Sequence, residues 1–297
     1  MKKLTVLFFL CIIPFIANAT ISEMSFGKWN IKFDDETKRA EFVKEGVTVL
    51  KDVKIKFKNG DVLLDASSYN SVKIKQEDIV DEVGKARKFT IEYTGSENSD
   101  NPIVYQNFYL YDGQDYFLTD VILQSPDNSI ISSNYIAPIS TEADNLFLPA
   151  DVNNRFITVP FDNDGFITYA SYPLSCSQTD PESLAIGRVA RDSVSMEVSA
   201  IFNGETQLGL VIGSVDHDTW KSAVRITGSP LAQGKITNLE CFSGVTHHIT
   251  RDMIDGVLKP HGAVKGQQVK SARMIVHYSG DWRTGLETFG DVCCAIA

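Results

Sequence analysis

From Gly27 to about Tyr278 the apolar residues fall in short alternating runs separated by turn residues, and that pattern predicts strand after strand. Trp29, Ile31 and Phe33 alternate with polar neighbours, Asp34-Asp35-Glu36-Thr37 reads as a turn, and a further strand is expected over 42–50. Val53-Lys54-Ile55-Lys56-Phe57-Lys58 is the clearest alternation, with an apolar side for a core and a lysine side for water. Asn59-Gly60 then predicts a hairpin turn into 61–66. Val72 and Ile74 repeat the pattern, as do Phe89, Ile91 and Tyr93. Residues 76–88 are polar, and Ile79, Val80 and Val83 are spaced for one helical turn. Tyr105, Phe108, Tyr109, Tyr111, Tyr116 and Phe117 surround a second hairpin signal, Asp112-Gly113. Sheet core and cross-strand pairing account for this aromatic block; a ligand platform is the other reading. Strands follow at 154–160, 165–172, 193–202 and 208–215, with Asn203-Gly204 joining the last two. No internal repeat and no Pro/Gly/Ser-rich linker divides the chain. The expected fold is all-β: one large two-sheet antiparallel sandwich with a short C-terminal helix.

The pattern changes after Asp281. Trp282, Leu286, Phe289, Cys293 and Ile296 are separated by steps of 4, 3, 4 and 3, one face of a helix, and Asp281 stands where an N-cap belongs. A helix this short is marginal unless its apolar stripe is packed. The expectation is that residues 279–297 connect a β-domain spanning 20–278 to a partner domain that supplies the missing contact.

The first residues read as a secretory signal over 1–19. Lys2 and Lys3 precede an apolar run from Leu4 to Ile16, and Ala17-Asn18-Ala19 has the small-x-small form of a cleavage site. Export to a bacterial periplasm, cell surface or medium is therefore expected. The net charge is −10 and the signal holds two of the lysines, so the remainder is more acidic still. Such a balance excludes a nucleic-acid partner, because phosphate binding needs a basic surface. Four cysteines remain, Cys176, Cys241, Cys293 and Cys294; Cys176–Cys241 is the more plausible bridge in an oxidising compartment, and free buried thiols are the alternative. No Cys-x-x-Cys, His-Glu-x-x-His, Gly-x-Ser-x-Gly or phosphate-cradling glycine loop occurs, so no metal and no cofactor are expected.

Two segments are candidates for ligand contact. In Phe161-Asp162-Asn163-Asp164-Gly165-Phe166, Asp162, Asn163 and Asp164 suit the hydroxyls of a sugar, while Asp164-Gly165 also suits a plain hairpin turn. In Asp216-His217-Asp218-Thr219-Trp220, His217 and Asp218 supply hydrogen bonds and Trp220 a ring for the apolar sugar face; a strand-end turn with a packing tryptophan is the plainer reading. His247-His248 would point to opposite faces of a strand and cannot share one metal.

The order Arg251-Asp252, Pro260-His261-Gly262-Ala263-Val264-Lys265-Gly266, Ser271 and Asp281-Trp282-Arg283-Thr284-Gly285-Leu286-Glu287-Thr288-Phe289-Gly290 is similar to the N-terminal domain of α-galactosidase-like (melibiase-type) glycoside hydrolases. Val159 to Phe166 and Asp216 to Trp220 fit the same picture, and the resemblance covers most of the chain. It implies a β-supersandwich of the galactose-mutarotase-like kind, followed in the family by a (β/α)8 barrel that holds both catalytic aspartates and works by retaining hydrolysis. The Gly-Trp-Asn-Ser-Trp-like barrel opening of the family does not occur here, and the Lys-x-Asp spacing of its nucleophile motif occurs only as Lys32-Phe33-Asp34, inside the first alternating run and with no barrel pattern around it. No catalytic residue is therefore assigned. The implied partners are a catalytic barrel in cis and a galactoside or related sugar, with self-association as a homo-oligomer left open. The implied role is non-catalytic: to support the barrel and edge its sugar pocket. A self-sufficient carbohydrate-binding module, a hydrolase with its site inside the sandwich and a purely structural protein are the alternatives.

Overall fold

The computed structural model describes residues 21–142, 147–159, 170–174, 194–228, 236–247, 258–260 and 262–297. The strands are β1 (Ile21–Phe26), β2 (Trp29–Asp34), β3 (Arg39–Lys44), β4 (Val47–Asn59), β5 (Val62–Asp65), β6 (Tyr69–Val80), β7 (Lys85–Ser96), β8 (Ile103–Tyr111), β9 (Tyr116–Gln124), β10 (Ile131–Ser133), β11 (Ile136–Glu142) and β12 (Asn154–Thr158). They continue as β13 (Ala170–Pro173), β14 (Val194–Met196), β15 (Val198–Asn203), β16 (Gly209–Ser214), β17 (Ser222–Gly228), β18 (Ile236–Ser243), β19 (Val245–His247), β20 (Leu258–Pro260), β21 (Val264–Gly266), β22 (Gln268–Lys270) and β23 (Met274–Ser279). One α-helix, α1 (Trp282–Ile296), follows.

Two large antiparallel sheets face each other. A nine-stranded sheet runs β1-β2-β3-β4-β11-β18-β17-β14, with β5 beside β4; a ten-stranded sheet runs β13-β12-β15-β16-β23-β9-β8-β7-β6, with β22 beside β9. The expected sandwich is therefore present. Its core is the alternation already visible in the sequence: Trp29, Ile31 and Phe33 of β2, and Val53, Ile55 and Phe57 of β4, are all buried. They meet the ten-stranded sheet edge to face. Trp29 lies 4.8 Å from Phe117 and Phe42 5.1 Å from the same ring, in the T-shaped geometry that aromatic quadrupoles favour.

Three expectations need correction. Residues 42–50 are not one strand: Glu45 (φ 48°) and Gly46 (φ 83°) turn the chain between β3 and β4. Residues 76–88 contain no helical turn. They complete β6 and open β7, in register from Tyr69↔Ser96 to Val80↔Lys85. Asp81 closes this hairpin by accepting from the backbone N–H of Val83 and of Gly84, both at 3.0 Å. From Gln76 on, both faces of β6 are largely wet, so this half lacks the alternation that Val72 and Ile74 carry in the first half. The run 193–202 is also broken. β14 belongs to the nine-stranded sheet and β15 to the ten-stranded one, and Glu197, at φ 60°, is the joint where the chain crosses between layers.

The helix has the expected bounds, and the contact its stripe needs is supplied within this chain. Asp281 caps α1 by accepting from Arg283 N–H at 3.0 Å. The apolar stripe does not wait for another domain; it lies on the outer face of the ten-stranded sheet. Trp282, Leu286 and Phe289 pack on Ala200, Phe202 and Val211. Phe289, Cys293 and Ile296 pack beside Tyr111, Tyr116, Leu118, Val215 and Ile275, with Val292 buried among them. Trp282 stacks on Phe202 with ring centroids 4.3 Å apart. Its indole N–H also donates to Gln207 Oε1 at 3.1 Å. Gly285 makes the approach possible: a Cβ there would stand 2.6 Å from Val211 Cγ2 and 2.7 Å from His277 Nδ1.

Candidate functional site

The segment 216–220 leaves the end of β16 and is held by its two ends. Asp216 Oδ2 accepts from the backbone N–H of Arg273 at 3.0 Å and from its Nε at 3.2 Å. Arg273 Nη1 reaches Glu82 Oε2 at 3.3 Å, on the turn after β6. Burial alone would pull the Arg273 pKa down, but Asp216 and Glu82 outweigh it and hold the pKa above its ordinary value. Asp216 therefore joins the end of β16 to the entry of β23.

Trp220 is 5% exposed, belongs to the main core, and its indole N–H donates to the Lys270 carbonyl at 2.7 Å. A ring in that position has no face open for stacking on a sugar, so the packing-tryptophan reading describes it. His217 and Asp218 are exposed. His217 Nδ1 lies 3.8 Å from Glu197 Oε1, beyond a direct hydrogen bond. Asp162, Asn163 and Asp164 lie outside the described residues, as do the expected signal and His248; His247 lies in β19. Cys241 is a free, buried thiol whose Sγ is 3.4 Å from Met274 Sδ, and burial drives its pKa well above the ordinary thiol value. Cys176, its expected partner, lies outside the described residues. Cys293 and Cys294 are free as well, and burial raises the Cys293 thiol to about 11. The Cys293 thiol is therefore not a ready nucleophile, since burial disfavours its thiolate.

The polar chemistry with the firmest geometry lies elsewhere. On the outer face of the ten-stranded sheet, Asp120 is fully buried and accepts from Asn107 Nδ2 at 2.6 Å and Tyr109 OH at 3.0 Å, with Lys270 Nζ at 3.3 Å. Thr90 extends the row by donating to Asn107 Oδ1 at 2.7 Å. The opposite layer has a counterpart: Glu240, 4% exposed, pairs with Arg225 and lies 3.8 Å from Lys56 Nζ. Each buried carboxylate is thus charge-compensated and hydrogen-bonded, as stable burial requires. Strand patterning could have found Asp120, because it interrupts the apolar run of β9 at an outward position. A cleft of about 200 Å³ at β2, β3 and β4 is lined by Lys32, Asp34, Arg39, Glu41, Lys51 and Asp52. Its charges of both signs suit polar contacts. Among the described residues no group of three or more His, Cys, Asp and Glu side chains is placed to hold a metal ion.

The sandwich has counterparts among solved structures. The chain aligns over 90% of its length with 38% of an α-N-acetylgalactosaminidase from Bifidobacterium bifidum, at a TM-score of 0.57 and 10% identity. It aligns over 88% of its length with 36% of a glycoside hydrolase family 97 enzyme from a Pseudoalteromonas species, at a TM-score of 0.53 and 10% identity.

The chain shares its fold with part of a glycoside hydrolase.

A family GH36 α-galactosidase from Geobacillus stearothermophilus gives a TM-score of 0.50 at 8% identity, over 88% of this chain and 40% of that one. The chain spans well under half the length of each of these enzymes. The all-β architecture implied by the sequence resemblance therefore stands. No protein-family model and no curated protein sequence matches the chain.

Proposed function

We propose that this chain is the non-catalytic β-sandwich region of a secreted, α-galactosidase-like glycoside hydrolase. Its role is to support and orient a catalytic barrel and to edge the sugar pocket. The supporting observation is the asymmetry of coverage: about nine-tenths of this chain superposes on little more than a third of each glycosidase. The interior agrees, because among the described residues the space between the sheets is packed with aromatic and aliphatic side chains. In this reading the parent enzyme is exported, its substrate is a galactoside or related sugar, and α1 is the connector seated on the sandwich. Contact with the sugar would come from loop residues, with Asp162, Asn163, Asp164, His217 and Asp218 as the candidates; Trp220 acts by packing beneath its loop.

The test is direct. Purified chain should release no nitrophenol from an aryl α-galactoside above the buffer rate, and should give no calorimetric heat with galactose or N-acetylgalactosamine at millimolar concentration. Hydrolysis would overturn the non-catalytic assignment. Binding heat without hydrolysis would make the chain a self-sufficient carbohydrate-binding module.

A further inference from the structure

The ten-stranded sheet ends on a strand that is unusually long and open for an edge. β6 is 12 residues, eight of them exposed, and among the described residues no strand lies beyond it. β1, at one end of the nine-stranded sheet, has 6 residues. Natural sheets blunt such edges with bulges, prolines or charged side chains, and β6 relies on the last alone, through Lys73, Lys75, Glu77 and Asp78. β6 has no proline or glycine, and its register with β7 runs without a shift. Val80, at its tip, is 76% exposed.

Its charges are not like charges. Along the outer face the order is Lys73, Lys75, Glu77, Ile79, and the neighbouring strand answers with Glu92 to Lys75 at 2.6 Å and Lys88 to Glu77 at 3.1 Å. We propose that β6 is a homodimer edge, pairing antiparallel with β6 of a second copy across a two-fold axis at Gln76 and joining the two ten-stranded sheets into one. A two-fold perpendicular to the sheet keeps each outer face on the same side, so outward residues meet outward residues. In this register each Lys75 stands opposite the second copy's Glu77, and Val72 stands opposite the exposed Val80. The rows Glu92–Lys75 and Glu77–Lys88 then run on across the junction as an alternating ladder of unlike charges. Moving the register by one step of the pleat in either direction places Lys75 against Lys75 or Glu77 against Glu77. The step toward Lys75 keeps an unlike pair, Lys73 with Glu77, so the axis at Gln76 is favoured as the one of these three registers with no like-charge pair. The interface is small and polar, and its affinity falls in the micromolar class. The inference does not depend on the glycosidase reading.

The test is sedimentation of the purified chain across the micromolar range. The wild type should approach twice the monomer mass. Lys75→Glu alone and Glu77→Lys alone should each weaken the dimer by about tenfold or more, since unlike pairs become like pairs. An equimolar mixture of the two variants should regain it, because one chain then presents two anions and the other two cations. Circular dichroism of each variant should match the wild type, since both positions are exposed. A wild type that stays monomeric overturns the proposal. So does a dimer that neither variant weakens, or a mixture that fails to associate.

Discussion

One sheet meets two different fates on its outer face. Over β15, β16 and β23 that face is apolar and covered by α1; over β6 and β7 it is a ladder of charges open to water. The covered half holds Ala200, Phe202, Val211 and Val215, together with His277, which is 2% exposed. The open half holds Lys75, Glu77, Lys88 and Glu92. The boundary between them is the row from Tyr109 to Asp120, where hydroxyl, amide and carboxylate satisfy one another. Stability is thus concentrated on the side where a helix removes apolar surface from water, and the other side is left to solvation and association.

The difference makes unequal responses to mutation the expected result. Trp282→Ala should have the largest effect, about 3 kcal/mol in urea unfolding, because it removes the stack on Phe202 together with the indole contact to Gln207.

Acid should come next. His277 is buried beneath the helix with Nδ1 unpaired, and burial lowers its pKa from 6.5 to about 4. Asp115 acts in the opposite sense, while Lys44 and Lys28 add to the lowering. The unfolded chain therefore binds a proton between these two values that the folded chain does not. Stability should fall as pH drops from 6.5 to about 4, by up to about 3 kcal/mol, and this contribution should level off below. His277→Gln should flatten the slope in that window without moving the behaviour above pH 7.

Gly285→Ala should cost about 2 kcal/mol, since the added methyl meets Val211 and His277 inside van der Waals contact. At the other extreme, Lys75→Ala on the open half should leave the monomer's unfolding midpoint unchanged within error, because exposed pairs contribute little.

How much of this was visible in the sequence follows the same division. Alternation located β2 and β4 because one side of each is dry and the other wet. It found the first half of β6 and the body of β7 but missed the hairpin end that joins them, because from Gln76 to Val80 both faces are wet and there is no period to read. The bed of the helix carries a mark in the sequence, the unbroken apolar run Leu210-Val211-Ile212 that suits a strand covered on both faces, and in the fold every residue of β16 is buried. The stripe on α1 was equally plain. What the pattern could not supply was that the two belong together, because the contact joins residues about 75 positions apart, as Trp282 and Gln207 are. Of the candidate site, the turn after β16 was located correctly. The role of Trp220 was not legible, since a tryptophan beside carboxylates looks the same in sequence whether its ring faces a ligand or the core.

The central claim is that α1 is a docked part of this fold, completed by the chain's own sheet. Amide hydrogen exchange over α1 measures it directly. The account predicts that amides from about Leu286 to Cys293 exchange slowly, on the timescale of β16 and β23, and that Trp282→Ala releases them selectively. Exchange of the wild-type helix at the rate of an isolated short peptide would contradict it.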